Sequence, residues 1–222
     1  MLNNLQNKTN TFSLNSARQY ISLCVEADLQ ELIKKNGHAT LILTGGKSIV
    51  HFFSSIQKIN ISWVKIALIL SDDRIVSSCN FNSNEKLINE KFLNKDVIKK
   101  NIDYFSIKEI FFNEAAEQYN KFSCALKNSI AILSMGLDGH VASLFTKDDV
   151  SDNRAFLKLI SRPDYDRISL SYQSLLRVKK TYIIVYGKKK IDYLNRLNIG
   201  QFYLKDLVLR SIMIFVDDID IS

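Results

Sequence analysis

Three short segments of this 222-residue chain combine residue types that can hold an anion and move a proton. The sharpest is Gly136-Leu137-Asp138-Gly139-His140, which sets one of only three histidines two residues after an aspartate, among glycines. Imidazole is the side chain best suited to proton transfer near neutral pH. An acid beside it can orient the ring and stabilise its charged form. His140 therefore reads as a general base and Asp138 as its partner, with Gly136 and Gly139 letting the backbone close on a substrate. The second segment is Thr44-Gly45-Gly46-Lys47-Ser48. Its glycines allow close approach to an anion, a following helix would offer unpaired N–H groups, and Lys47 and Ser48 add a charge and a hydroxyl. It matches neither the P-loop nor the dinucleotide fingerprint, and a tight strand-to-helix turn with a solvated Lys47 accounts for the same residues. The third is Ser71-Asp72-Asp73-Arg74. Arginine offers a planar fork for phosphate or carboxylate, and the two acids could orient it or act in acid–base chemistry. A solvated loop with a local ion pair is the plain alternative. Ser83-Asn84 could cap the next helix or face the same site. Arg167 and Lys190 are candidate anion contacts that also read as surface charges. His38, at a helix end, and His51, within a helix, lack comparable surroundings.

The elements that must position these residues alternate between strand and helix. Residues 16–35 show helical apolar spacing, with Ser16 and Gln19 as a capping box and Gly37 as terminator. Residues 39–43, 64–70, 129–133, 181–186 and 211–216 are short apolar runs of the kind buried on both faces of a parallel sheet. Helices are expected over 48–57, 84–93 and 113–126, and from Lys188 onward. This order predicts an α/β fold, a doubly wound, mostly parallel sheet flanked by helices, in a single domain over 1–222. In such a sheet ligands bind beyond the carboxyl ends of the strands. All three segments follow strands, so they should converge on one rim.

Composition narrows the classes. One proline and seven glycines exclude collagen-like and linker-like chains. Three widely spaced cysteines without C-x-x-C disfavour a disulfide framework or a zinc site, and suit a reducing cytoplasm. The N-terminus lacks a secretory h-region, and no apolar run approaches the roughly 20 residues of a membrane span. A net charge of +7 could mean nucleic acid or a small anion. The one dense basic cluster, 188–190, is too short for a nucleic-acid tail, and no nucleic-acid motif appears. A small anionic substrate is the expected partner, with no nucleic acid, membrane, metal or cofactor, and the chain acting as a monomer or weak homodimer.

Together and in this order, the segments resemble the 6-phosphogluconolactonase family, from about residue 16 to 216. LSMGLDGHVASLF at 133–145 resembles that family's L-G-M-G-x-D-G-H-T-A-S-L-F, SDDR its D-E-R, Ser83-Asn84 its S-N, RISLS at 167–171 its R-I-T-L-T, and GKKK at 187–190 its G-x-x-K. The chain departs at the glycine loop, where Lys47, Ser48 and Ile49 replace the usual S-T-P. Thr146 stands where a proline is usual, and Asp73 where Glu is usual. The sister glucosamine-6-phosphate deaminases follow D-G-H with I-A-F-N-E-P, so VASLF favours the lactonase side. The resemblance implies the glucosamine-6-phosphate isomerase-like fold. It also implies hydrolysis of 6-phospho-D-glucono-1,5-lactone in the oxidative pentose phosphate pathway, without a cofactor. In that reading His140 deprotonates the attacking water and Asp138 orients His140. Arg74 holds the substrate or the oxyanion, positioned by Asp72 and Asp73 beside Asn84. Gly45, Gly46, Lys47, Ser48, Arg167 and Lys190 bind the 6-phosphate. An amino-sugar-phosphate deaminase/isomerase and a non-catalytic sugar-phosphate binder are the alternatives.

Overall fold

The apolar runs form the centre of a computed structural model that describes residues 11–112, 125–151 and 155–217. Strands β1 (Ala39–Leu43), β2 (Ile66–Leu70), β4 (Asp103–Phe105), β5 (Ser129–Ser134), β8 (Lys180–Tyr186) and β9 (Ile212–Val216) make a six-stranded sheet in the order β4-β2-β1-β5-β8-β9. Every pair in it is parallel. Strand order runs outward from β1 through β2 to β4, then crosses back to β5 and on to β9. The reversal puts the topological switch between β1 and β5, where the loops leaving the two strands diverge and open a crevice.

A second, antiparallel sheet has the order β3-β7-β6, from β3 (Asp72–Arg74), β6 (Leu157–Ile160) and β7 (Arg167–Leu170). Ser71 is the hinge between the sheets. Its N–H donates to Leu43 O of β1 at 2.8 Å, and its carbonyl accepts from Leu170 N of β7 at 2.7 Å. Residues 72–74, for which a solvated loop was the plain alternative, thus form a strand. Such polar residues hold an extended conformation because β7 supplies their ladder partners. The edge strand β4 and the strand β6 were not anticipated either.

Helix α1 (Leu14–Asn36) starts earlier than the spacing suggested. Ser13, not Ser16, is the cap: its hydroxyl accepts from Ser16 N at 3.2 Å, so no Ser16–Gln19 box forms. Gly37 ends the helix as expected, at φ 81°, with its N–H on Ile33 O. Helix α2 (Lys47–Ile56) buries Ile49, Phe52, Phe53 and Ile56, one apolar stripe at helical spacing. Each such side chain contributes about 1.5–3 kcal/mol on burial, which fixes the glycine loop at the helix start. Trp63–Lys65 forms a 3₁₀ turn, so the second strand begins at Ile66 rather than at 64. Helices α3 (Asn84–Lys91), α4 (Asp96–Lys99), α5 (Ile107–Phe112), α6 (Lys147–Ser151), α7 (Tyr172–Arg177), α8 (Lys188–Arg196) and α9 (Lys205–Arg210), with 3₁₀ turns at Leu126–Asn128 and Ile199–Gln201, complete the described elements. The helix expected over 113–126 lies largely outside the described residues. Among the described residues, no helix is long and apolar enough to cross a membrane.

Candidate active site

A cavity of about 280 Å³ opens at the switch between β1 and β5. It is lined by Thr44 to Ser48 after β1, by Ser134 to Leu137, His140 and Ala142 after β5, and by Asp72, Arg74 and Asn84. Arg167 of β7 and Lys190 of α8 complete the wall. Larger cavities of about 490 and 480 Å³ lie at the opposite ends of β1 and β2 and along α8, but neither gathers the strand-end segments.

The strand geometry at β3 separates two neighbouring acids. Successive side chains of a strand point to opposite faces. Asp72 and Arg74 face the cavity, whereas Asp73 faces away and is fully buried. Asp73 is therefore not a substrate contact, contrary to the sequence reading. Its Oδ1 accepts from Arg74 N at 2.8 Å and Asn84 N at 2.6 Å. Its Oδ2 accepts from Ser83 Oγ at 3.0 Å and Glu85 N at 3.3 Å. Nor do the acids hold the Arg74 guanidinium. That role falls to Asn84 Oδ1 at 2.9 Å and Asn82 O at 3.1 Å. Asn84 is itself locked, donating to Asp72 O at 2.9 Å. Ser83 is the cap of α3, as expected, so both residues of the Ser-Asn pair have work to do.

Asp72 is buried without a cationic partner among the described residues. Three hydroxyls satisfy it: Ser71 Oγ at 2.7 Å and Thr44 Oγ1 at 3.4 Å on Oδ1, and Ser143 Oγ at 2.7 Å on Oδ2. Thr44, Ser71 and Ser143 lie in segments that the sequence singled out, but it gave their hydroxyls no role. Only the meeting of three strand-end segments brings their hydroxyls to one carboxylate.

The turn after β5 brings together His140 and Asp138, the candidate proton-transfer pair. His140 Nδ1 hydrogen-bonds Asp138 Oδ1, and His140 N donates to the same oxygen at 3.3 Å. With Asp138 accepting, Nδ1 carries the hydrogen and Nε2 keeps its lone pair. Partial burial would raise the Asp138 carboxyl, but the hydrogen bonds and charge of His140 outweigh it and hold the group below the ordinary carboxylate range. The imidazole also lies against Phe145, with ring centroids 4.3 Å apart. Gly136 makes room for it: a Cβ there would sit 2.2 Å from His140 Cε1. Gly139 does not line the cavity. It takes the left-handed turn, at φ 85°, with its back to Tyr193, so its part is to shape the turn. Ala142, at φ 53°, is held in the same strained region and turns the chain back toward Asp72 through Ser143.

Four cationic side chains line the cavity, Lys47, Arg74, Arg167 and Lys190, against the single acid Asp72. Arg74 and Arg167 are cross-strand neighbours on β3 and β7. Like charges in that register repel unless an anion joins them. Arg167 is about nine-tenths buried. Its Nη2 reaches Asp164 Oδ2 at 2.5 Å, its guanidinium carbon lies 5.0 Å from the Phe145 ring centre, and its Nε has no hydrogen-bond partner. Lys190 touches Ser48 Oγ at 3.0 Å, and burial pulls its ammonium below the ordinary lysine range. Lys47 is exposed at the first position of α2, where Gly46, at φ 103°, is the cap and contributes no side chain. Gly45 is packed on Asn84, where a Cβ would approach Oδ1 to 2.1 Å. The geometry thus places an imidazole beside four cationic side chains, an arrangement that suits an anionic ligand.

Residues 15–201 match the family described as glucosamine-6-phosphate isomerases/6-phosphogluconolactonase. The chain is 31% identical to a 6-phosphogluconolactonase of Borreliella burgdorferi over 169 residues, covering 71% of this chain and 72% of that one. It is 26% identical to one of Helicobacter pylori over 175 residues, 74% of each chain. In three dimensions it is similar to a 6-phosphogluconolactonase from Shewanella baltica, with a TM-score of 0.78 at 22% identity, covering 93% of this chain and 96% of the other. The family match covers β1 to β8, the strand-end loops and the histidine turn, and the chain belongs to the glucosamine-6-phosphate isomerase/6-phosphogluconolactonase family.

Proposed function

We propose that the chain hydrolyses 6-phospho-D-glucono-1,5-lactone to 6-phospho-D-gluconate. The observation that carries this reading is the placement of the His140–Asp138 pair on the rim of a pocket with four cations and one acid. The cations suit a phosphate, and the base suits activation of one water.

The 6-phosphate sits among Lys47, Ser48, Arg167, Lys190 and the N–H groups at the start of α2, with Gly45 and Gly46 letting the backbone approach. His140 Nε2 takes a proton from a water whose oxygen bonds to the lactone carbonyl carbon, C1. The charge on the imidazole is stabilised by Asp138 and by the face of Phe145. Arg74, held by Asn82 and Asn84, faces the oxyanion that forms at C1. The intermediate collapses by breaking the C1–ring oxygen bond, and His140 returns its proton to that oxygen as it becomes a hydroxyl. Asp72, held by three hydroxyls, accepts a hydrogen bond from the sugar. General-base assistance of this kind contributes about 10²- to 10⁴-fold. The free thiols of Cys24 and Cys79 suit action in a reducing compartment such as the cytoplasm.

The test is a coupled time course. Glucose-6-phosphate dehydrogenase generates the lactone, and 6-phosphogluconate dehydrogenase reports product as NADPH. Wild-type protein accelerates the second phase, and His140→Ala lowers kcat at least a hundredfold with the fold intact. No acceleration over spontaneous hydrolysis, together with ammonia release from glucosamine 6-phosphate, overturns the lactonase assignment.

A further inference from the structure

Lys108 lies on α5, outside the cavity and outside every segment the sequence singled out. Its side chain is 13% exposed, and its ammonium makes four polar contacts. It pairs with Asp73 Oδ2 at 3.0 Å and Glu85 Oε2 at 3.2 Å, and it donates to Val76 O at 3.1 Å and Ser83 Oγ at 3.4 Å. Ser106 Oγ completes the cluster on Glu85 at 3.3 Å. Asp73 has no exposed surface, and Lys108 is its cationic partner among the described residues. Removing one partner of a buried ion pair costs far more than the pair contributes, because a charge is left without compensation.

The position of this cluster gives it a consequence at the site. The other oxygen of Asp73 holds Arg74 N and Asn84 N. Asn84 Oδ1 in turn holds the Arg74 guanidinium, and the Asn84 side chain packs on Gly45 of the anion loop. A continuous set of contacts therefore runs from Lys108 through Asp73 and Asn84 to Arg74. We infer that Lys108 is a positioning residue, which fixes the Arg74 guanidinium over the substrate through Asp73 and Asn84. A neutral residue at 108 frees Asp73 to turn from the backbone of β3 and α3 and lets Arg74 drift. The inference rests on the sugar-phosphate reading of the cavity, and on the lactonase reading only for its kinetic readout.

The experiment compares Lys108→Met in the wild-type and Arg74→Ala backgrounds, measuring kcat/KM in the coupled assay and the Kd for 6-phosphogluconate by calorimetry. In the wild-type background, Lys108→Met lowers kcat/KM and weakens product binding at least tenfold each. In the Arg74→Ala background, it changes either by less than twofold, since no guanidinium remains to position. Equal losses in both backgrounds mean a general structural role and overturn the inference, as does a Lys108→Met protein with wild-type values. If Lys108→Met fails to fold, Asp73→Asn tests the same link. It keeps the side-chain shape, leaves Lys108 paired with Glu85, and should show at least a fivefold loss confined to the background with Arg74. Absence of turnover in the wild type overturns the lactonase assignment alone, and the 6-phosphogluconate affinities still decide the role of Lys108.

Discussion

Gly136→Ala tests the geometry of the base without deleting any functional group. The backbone of Gly136 lies outside the left-handed region, so alanine can adopt it without strain. The added Cβ, however, would stand 2.2 Å from His140 Cε1, 2.3 Å from Nδ1 and 2.9 Å from Asp138 Oδ1. Ordinary contact begins at 3.4 Å, so the imidazole must retreat by about 1.2 Å. Phe145 blocks one direction, at 4.3 Å between ring centroids. On the proposed mechanism, a displacement of the ring that skirts Phe145 carries Nε2 off its line to the carbonyl carbon. A misplacement of about 1 Å in a reacting group can cost about 10²-fold, or about 2.7 kcal/mol of transition-state stabilisation. The coupled lactone assay should thus show kcat reduced about a hundredfold, with KM changed far less because the cations are untouched. Circular dichroism and a thermal melt check the fold. In a His140→Ala background the same substitution should cost nothing further. A Gly136→Ala enzyme with kcat within threefold of wild type refutes the role assigned to the His140 orientation.

Four further outcomes follow from the same geometry. Asp138→Asn should lower kcat by about 10- to 100-fold, less than loss of the buried acid in a protease triad, because the Asp138 side chain is 60% exposed. The Asp138 carboxyl is depressed in the folded chain, so its stabilising effect is full above its ordinary value of 3.8 and fades as pH falls through the lowered value. The difference in Tm between wild type and Asp138→Asn, followed by melts from pH 7 to 3, should hold steady and then shrink below pH 3.8; growth toward acid would contradict this sign. Burial depresses the Lys190 ammonium, so KM for the phosphorylated lactone should rise at alkaline pH below the ordinary lysine value of 10.5. Lys190→Met should show a KM raised about tenfold at pH 7 and no such alkaline rise. Gly45→Ala drives a Cβ to within 2.1 Å of Asn84 Oδ1, which holds Arg74. Steady-state kinetics should show the same losses in kcat and KM as Asn84→Ala, and a normal Gly45→Ala enzyme would rule out the Asn84 link.

Five of the six strands of the central sheet were legible in the sequence as continuous apolar runs, whereas the edge strand β4, exposed or half-buried along its length, was not. Runs such as 39–43 and 129–133 have no other reading once a turn signal follows them. The second sheet was not legible, because β3 is three polar residues whose extended form depends on β7, far along the chain. Nothing local in SDDR distinguishes a loop from such a strand. That ambiguity had a functional price. A loop reading treats Asp72 and Asp73 alike, whereas strand alternation sends one to the cavity and the other to the helix cap. The early start of α1 has a similar origin: both Ser13 and Ser16 are competent caps, and the choice falls to the extended backbone at Ser13.

The site divides along the same physical line. His140, Asp138, Gly136 and the glycine loop were found because each follows a buried strand, and the carboxyl ends of parallel strands share one rim. The groups that were missed act across large sequence separations. Ser143 reaches Asp72 over 71 positions, and Lys108 reaches Asp73 from a helix after the next strand. Such partners are chosen by packing, and a lone serine or lysine carries no mark of it in the chain. A buried acid does carry one, since a carboxylate with no exposed surface must find donors or a cation. Once β3 is known to be a strand, the inward side of Asp73 demands a partner such as Lys108, and the outward side of Asp72 demands hydroxyls. The second sheet thus does more than extend the fold: it converts a run of three charged residues into two faces, one that lines the cavity and one that is bonded to the start of α3.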